Sequence, residues 1–327
     1  MPRLQGRLTA AELGLVINSA DPYSVAVGEY YLRRRGIPEA NVLRLPLPLR
    51  PTLSLAEFEA FNEQVRAQMP AAVQGLALAW NQPYAVECNA ITAVLAMGFQ
   101  PEICKQLCGP SKPSPYFSYT GARPHSDLGF RPAMLLASRS VESAQALIER
   151  GMAADHSLPS MFLPSQAYFV STPDKARNVR APLFPPAGLL RPWGVNVQRP
   201  SSTALPPKLS RTLIYQTGLI RVAGLEAVEW LPGALADHLT SAGGQLERAY
   251  ASGGQMSAVD WLEAGATASY GSVTEPCNHL QKFPHPQILL LSYLQGLTAL
   301  EAYWHSVAWP GQGVFIGEPL AAPFARP

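Results

Sequence analysis

The sequence predicts a three-layer α/β protein in which helices cover both faces of a mostly parallel sheet. Short apolar runs, typical of buried strands, alternate along the chain with segments of helical periodicity. Helix start signals recur between these runs, as Asp21 before Pro22 and as the pair Ser54 and Glu57. At 327 residues the chain can bury a large core, and we predict a single domain over residues 1–327.

The first elements predict a strand, a helix and a second strand. Residues 13–18 form an apolar run, and the helix that follows begins at Pro22, with Asp21 as N-cap, and ends at Gly36. Its predicted buried face consists of Val25, Gly28 and Leu32. Residues 41–45 form the second strand. Because such a unit has a right-handed crossover, the two strands are expected to pair in parallel.

The same alternation continues to the end of the chain. Further strands are predicted at residues 75–80, 133–137, 166–170, 212–215, 234–239 and 266–270. Further helices are predicted after Ser54, after Ser140, over residues 287–294 and from Thr298 to Trp304. Capping boxes, in which a Ser or Thr precedes a Glu by three positions, mark two of these helix starts.

Two segments interrupt the pattern. Residues 81–131 are rich in Pro, Ser, Cys and Gly, which predicts a cysteine-containing insertion over the carboxyl edge of the sheet. Residues 180–210 are rich in proline, which predicts either a surface excursion or a boundary between subregions.

Composition limits the classes of function. Hydrophobic residues make up 47% of the chain and charged residues 15%, as in folded globular proteins. The net charge is +2 and no basic stripe with interleaved aromatic residues occurs, which argues against nucleic-acid binding. No run approaches the ~20 apolar residues of a membrane span. Residues 1–12 lack an apolar signal region, so the sequence as written predicts a cytoplasmic protein, or an exported one if the native gene encodes an upstream signal.

Common catalytic and nucleotide-binding motifs do not occur. The turn after the first strand lacks G-x-G-x-x-G, and the chain contains neither a P-loop nor a G-x-S-x-G elbow nor H-E-x-x-H. These absences argue against dinucleotide-binding, P-loop, α/β-hydrolase and zincin classes.

The four cysteines, Cys88, Cys104, Cys108 and Cys277, allow three interpretations. They can form two disulfides, remain as thiols or bind a metal ion. Cys104 and Cys108 are four residues apart, so on a helical turn both would face the same side. With Cys88 and Cys277 they would supply the four ligands that a structural zinc ion requires.

Candidate catalytic groups cluster in the last third of the chain. Cys277 is a candidate nucleophile, with His238 or His279 as the base that lowers the pKa of its thiol. Glu275 or Asp237 could orient the imidazole. Asp237 and His238 are successive residues of a predicted strand and therefore point to opposite faces, so one of them is expected to be structural.

Over nearly its whole length the sequence resembles an uncharacterised bacterial protein family. The resemblance rests on the phrases VINSADP (16–22), SVAVGEYY (24–31), PYAVEC (83–88), GALADHLTS (233–241), GATASYGSVTEPCN (265–278), EAYWHSVAWPGQG (301–313) and IGEPL (316–320). It implies no particular activity.

More distantly, the order of elements resembles the gingipain-type, caspase-like cysteine peptidases. Residues 134–140 with the helix that follows, the strand at 264–272 and the closing residues 317–320 carry this likeness. The resemblance implies a caspase/gingipain-like sheet. It places the catalytic His-Gly of those peptidases at residues 215–218 and their nucleophilic Cys at residues 240–243, and neither segment contains the required His or Cys.

The leading hypothesis is therefore a protein with a caspase/gingipain-like fold that is inactive as a peptidase and binds an unknown ligand or protein partner. One alternative is a thiol-dependent hydrolase that uses Cys277 with His238 or His279. The other is a metal-binding protein that holds an ion such as zinc with its four cysteines.

Overall fold

The computed structural model describes residues 7–159, 162–247 and 254–326. Within these ranges, helices cover both faces of an eleven-stranded sheet, and three short strands form a second sheet. The strands are β1 (Leu13–Asn18), β2 (Val42–Leu45), β3 (Thr52–Leu53), β4 (Gly75–Leu78), β5 (Ala85–Val86), β6 (Asn89–Ala90), β7 (Ala133–Leu135), β8 (Ser165–Phe169), β9 (Gly188–Leu190), β10 (Val195–Gln198), β11 (Leu209–Thr217), β12 (Val228–His238), β13 (Ala268–Ser272) and β14 (Gly313–Gly317). The helices are α1 (Pro22–Arg35), α2 (Leu55–Gln68), α3 (Ile91–Met97), α4 (Pro101–Lys105), α5 (Pro124–Leu128), α6 (Val141–Ala154), α7 (Val259–Ala264), α8 (Pro286–Leu294) and α9 (Ala299–Ser306). None of these helices combines the length and the apolar character that crossing a membrane requires.

The large sheet has the strand order β2-β1-β4-β7-β14-β13-β12-β11-β8-β10-β9. Most neighbours are parallel, which confirms the predicted α/β class. Two pairs are antiparallel: β9 with β10 at one edge and β13 with β14 in the middle. The pair in the middle divides the sheet into a first half (β2, β1, β4, β7, β14) and a second half (β13, β12, β11, β8, β10, β9). Consequently the parallel strands of the two halves have their carboxyl ends at opposite edges of the sheet.

The reversal comes from the connection between β13 and β14. Ser272 at the end of β13 and Gly313 at the start of β14 are register partners, so residues 273–312 leave and return at the same edge. Helices α8 and α9 lie within this connection. Their periodicity alone does not distinguish it from a crossover between parallel strands. The sequence therefore predicted a mostly parallel sheet but not the position of the antiparallel pair.

The core lies on both faces of the sheet because successive strand residues point to opposite sides. Leu15 and Ile17 of β1 belong to a buried cluster that includes Val27 of α1. Val16 between them belongs to a second cluster, which includes Phe58 of α2. Each of these side chains is at most 2% exposed, and full burial of one such side chain contributes about 1.5–3 kcal/mol to folding.

The helix boundaries follow the predicted caps. The Ser54 hydroxyl accepts from the Glu57 amide, and the Glu57 carboxylate accepts from the Ser54 amide at 2.9 Å, as a capping box requires. Thr298 and Glu301 form the same arrangement at the start of α9. Gly36 ends α1 with φ of 63°, a left-handed conformation that favours glycine.

The predicted buried face of α1 is only partly right. Gly28 is buried, but Val25 is 39% exposed. Without a side chain, Gly28 lets α1 approach Ile17 of β1 so closely that a Cβ would overlap the isoleucine. The helix instead buries Tyr31, whose hydroxyl donates to Glu318 Oε1 at 2.7 Å. Tyr31 can be buried in the core because its hydroxyl has a hydrogen-bond acceptor there, the carboxylate of a residue far away in the sequence.

The two irregular segments both take part in the architecture. Residues 81–131 begin at the carboxyl edge of the first half, where Asn81 accepts from the Ser138 amide at 2.8 Å. They cross to the opposite edge, where the Thr92 hydroxyl donates to the Gly313 carbonyl. The insertion thus reaches the edge at which strands of the second half end. The proline-rich residues 180–210 contain β9 and β10, which extend the sheet and which the sequence did not predict.

A buried ion pair joins the end of α1 to the turn after β14. Glu318 is fully buried and accepts from Nε and Nη2 of Arg35 at 2.9 and 2.7 Å. Arg35, whose side chain is 8% exposed, also pairs with Asp155. Removal of one partner of a buried ion pair lowers the stability of the protein strongly, because the remaining charge has neither water nor a counter-charge around it.

Glu318→Gln is accordingly expected to lower the free energy of unfolding by about 3 kcal/mol, as measured by urea denaturation. Glu149→Gln is the matched control, because Glu149 of α6 also pairs with an arginine near the end of α1, Arg34, but is 42% exposed. The control should lose less than about 1 kcal/mol. Equal losses in the two variants would contradict a structural role for the buried pair.

Candidate functional site

Three neighbouring strands of the second half bring the predicted site residues to one edge of the sheet. β11, β12 and β13 end at Thr217, His238 and Ser272, and Thr217 is the register partner of His238. Ligand sites of open α/β sheets lie at the carboxyl ends of strands, so this edge is the candidate site. The loop after β12 packs closely against the end of β13: a side chain on Gly271 would clash with the backbone of Gly243.

Asp237 is part of a buried polar cluster. Its carboxylate accepts from Arg180 Nη1 at 2.6 Å and from Gln216 Nε2 at 2.7 Å. Arg180 is 2% exposed and also donates to the carbonyls of Thr217 and Pro284. Burial raises the pKa of Asp237, although Arg180 and Gln216 act in the opposite direction. The carboxylate therefore has a structural role: it links Asp237 of β12 to Gln216 of β11 and to Arg180.

His238 points away from this cluster, as alternation along a strand requires. Its Nδ1 accepts from the Trp261 indole at 2.9 Å, which leaves the proton on Nε2 to be donated to the Met256 carbonyl at 3.1 Å. Burial lowers the pKa of His238 to about 3, although the Met256 carbonyl opposes the shift. The ring is therefore a neutral imidazole with both nitrogens in use. No hydrogen bond among the described residues joins it to Asp237, Glu275 or Cys277.

All four cysteines form disulfides. Cys88 is bonded to Cys104 and Cys108 to Cys277, with Cα–Cα distances of 5.4 and 5.3 Å. These distances are within the range that a disulfide bridges. Of the three interpretations of the cysteines, the structure supports disulfides.

The structure does not support the interpretation of Cys88, Cys104, Cys108 and Cys277 as metal ligands, because all four are in disulfides. A disulfide sulfur carries no thiolate charge and is not the ligand that zinc takes. Within the described ranges, moreover, no group of three or more His, Cys, Asp or Glu side chains is placed to hold a metal ion.

Cys277 likewise lacks the thiol that a nucleophile needs while it is bonded to Cys108. The Glu275 carboxylate accepts from the Cys277 amide at 2.8 Å and so shapes the loop after β13. His279 is exposed, and its ring lies 6.2 Å from that of Trp309. The structure brings Glu275 and Cys277 together, but in a backbone contact.

A largely buried polar cluster that the sequence did not predict lies near the ends of β11 and β12. Thr240 donates to Gln255 Oε1 at 2.9 Å, and the Ala242 amide donates to the same oxygen. Arg177 contacts Thr240 at 3.4 Å and pairs with Asp174 at 3.0 Å. These residues come from three separate loops, so no motif or spacing could have indicated their association.

Lys282 is a buried cation beside the Cys108–Cys277 disulfide. It is 1% exposed, and its Nζ donates to the carbonyl of Leu107 at 2.8 Å. Burial lowers the pKa of Lys282 to about 8, with Glu275 acting in the opposite direction. The lysine thus ties the insertion to the loop after β13, as the disulfide does.

Comparison with protein-family models and with curated proteins finds no match. Among solved structures, the chain is similar to the crystal structure of the Arg-specific cysteine proteinase gingipain R. The TM-score is 0.45 and the sequence identity 11%, over 95% of this chain and 78% of the gingipain chain. At this distance neither an activity nor a site residue carries over.

The neutral state of His238 predicts a pH dependence of stability. Its pKa is about 3 in the folded protein and about 6.5 in an unfolded chain. The resulting stabilisation is complete above pH ~6.5 and is lost as the pH falls towards ~3, because the unfolded chain then binds one more proton. His238→Gln is expected to flatten the fall in unfolding free energy between about pH 6 and 4, measured by urea denaturation at each pH. Parallel curves for variant and wild type would contradict this assignment.

The two disulfides are expected to stabilise the protein unequally. They close loops of 16 and 169 residues, and the longer loop restricts the unfolded chain more. Replacing Cys108 and Cys277 with alanine should therefore cost about 2 kcal/mol more than replacing Cys88 and Cys104. Urea denaturation of the two double variants measures this difference, and since both remove two sulfurs, each is the control for the other. A larger loss from the Cys88 and Cys104 variant would contradict the expectation.

Proposed function

We propose that the protein acts by binding a ligand or a protein partner and is inactive as a peptidase. The observation that carries the proposal is that the candidate nucleophile and the two candidate groups at the end of β12 are each engaged in a structural contact. Cys277 is bonded to Cys108, His238 uses both ring nitrogens, and Asp237 pairs with a buried arginine.

The segments where the sequence resemblance places catalytic residues support the same proposal. Residues 215–218 include the end of β11 and contain no histidine, and residues 240–243 follow β12 and contain no cysteine. The first polar side chain after β12 is that of Thr240, whose hydroxyl donates to Gln255. A threonine hydroxyl needs an adjacent base to become a nucleophile, and the described contacts of Thr240 include no such base.

The disulfides also bear on where the protein works. Disulfides persist in oxidising compartments and are rare in the cytosol, where thiols are kept reduced. We therefore favour an oxidising compartment over the cytoplasmic location that the sequence as written suggested. There the Cys108–Cys277 bond keeps Cys277 from acting as a thiolate.

The alternative, a thiol hydrolase, requires this bond to be reduced. Two single variants separate the proposals. Cys108→Ala leaves a free thiol at Cys277, whereas Cys277→Ala removes that thiol and breaks the same disulfide. Because both lose the same cross-link, they are matched for its effect on stability.

Under the binding proposal, neither variant hydrolyses fluorogenic amide or ester substrates above the uncatalysed rate, and wild type stays inactive with reductant. Initial rates with and without reductant are the measurement. Turnover by Cys108→Ala and by reduced wild type, absent from Cys277→Ala, would establish the hydrolase and refute the proposal.

A further inference from the structure

A cleft with a volume of about 600 Å³ lies beside the amino end of β4, away from the residues of the candidate site. One wall is formed by α2 and another by the end of α3, and the rest by Leu76 of β4 and by residues 112–115, 125 and 128–131 of the insertion. This volume lies within the ~300–1,000 Å³ range of small-molecule sites. The cleft is therefore large enough for a small organic ligand.

The charged residues that line the cleft are all basic. They are Arg66, Lys112 and Arg131, with His125 beside them, and the lining contains no Asp or Glu. None of the three cations forms an ion pair within the described residues, whereas Arg35, for example, pairs with Glu318. Unpaired cations around a concave surface raise the local concentration of anions.

Arg131 is the most deeply placed of these cations. Its Nε and Nη2 donate to the carbonyls of Val73 and Pro70 at 3.0 Å each, which fixes the guanidinium without neutralising it. Burial lowers the pKa of Arg131, and no carboxylate offsets that effect. His125 lines the cleft as well, and its Nδ1 is buried without a hydrogen-bond partner in the described part of the chain. An anion in the cleft would offset the charge of Arg131.

The rest of the lining is largely apolar. It includes Val65, Leu76, Leu95, Met97, Leu128 and Phe130. Apolar walls with a few charged groups are typical of sites that take an apolar body and orient a polar head. Leu128 is 40% exposed, so part of this apolar surface is open to a ligand.

From this juxtaposition we propose that the cleft binds a small amphipathic anion, an organic carboxylate whose apolar chain lies against these walls and whose head group contacts Arg66, Lys112 and Arg131. Arg66 and Lys112 are exposed and would reach the carboxylate from the cleft opening, whereas Arg131 sits deeper. This inference goes beyond the proposed function and does not rest on it. Substrate hydrolysis by Cys108→Ala would refute the proposed function but would not contradict the proposal of ligand binding in the cleft.

Three probes with the same chain length test the proposal by isothermal titration calorimetry on the whole protein: decanoate, decanol and decyltrimethylammonium. We expect decanoate to bind and the neutral and cationic probes to bind at least about tenfold more weakly, since hydrogen bonds to charged groups are the stronger ones. Absence of decanoate binding at millimolar concentration, or equal binding of decanol, would overturn the proposal.

Variants test the named residues. Arg66→Gln and Lys112→Gln alter exposed side chains and should each weaken decanoate binding about tenfold. Arg33→Gln removes the same charge from an exposed position on α1, outside the cleft, and should bind as wild type does. Arg131→Gln should weaken decanoate binding more than Arg66→Gln or Lys112→Gln does. If Arg66→Gln and Lys112→Gln bind decanoate as tightly as Arg33→Gln does, the assignment of the head-group site is wrong.

Discussion

The antiparallel pairing of β13 with β14 determines where the functional groups of this protein lie. It joins two parallel half-sheets of opposite direction, so that the carboxyl ends of the first half share an edge with the amino ends of the second. The insertion crosses from one edge to the other and reaches the loop after β13. Because of this pairing, the candidate site and the basic cleft lie at the same edge but on different halves of the sheet.

At that edge the polar side chains hold the loops together. Arg180 bonds Asp237 and the Thr217 carbonyl, and Trp261 holds His238 as a neutral ring. The Cys108–Cys277 disulfide and Lys282 both tie the insertion to the loop after β13. Each of these groups is one that a catalytic site could use. Here their protons, lone pairs and sulfurs are engaged with other parts of the chain, and the proposal of a binding role rests on this.

The sequence could predict features that depend on local chemistry. The capping boxes at Ser54 and Thr298 gave correct helix starts, because the cap and its partner are three residues apart. Strand runs such as residues 13–18 were correct because burial on both faces leaves a continuous apolar segment. The alternation of Asp237 and His238 on opposite faces also followed from strand geometry alone.

Features that depend on distant residues could not be predicted in this way. The partners of Asp237 and His238, which are Arg180 and Trp261, lie 57 and 23 positions away, and nothing in their spacing indicates contact. The cysteines allowed three pairings and also thiols or a metal site, and only the fold brings Cys108 to Cys277. The basic cleft is lined by residues of α2, α3 and the insertion, which lie far apart in the sequence. Its positive charge therefore could not be predicted from the order of residues along the chain.

The intact mass of the protein after denaturing alkylation without reductant tests most directly whether Cys277 is held in a disulfide. We expect no added alkyl groups without reductant, because all four cysteines are in disulfides, and four added groups after reduction. A group added at Cys277 in protein that was never reduced would reveal a free thiol at the candidate site. That result would contradict the claim that this edge is built for structure and binding.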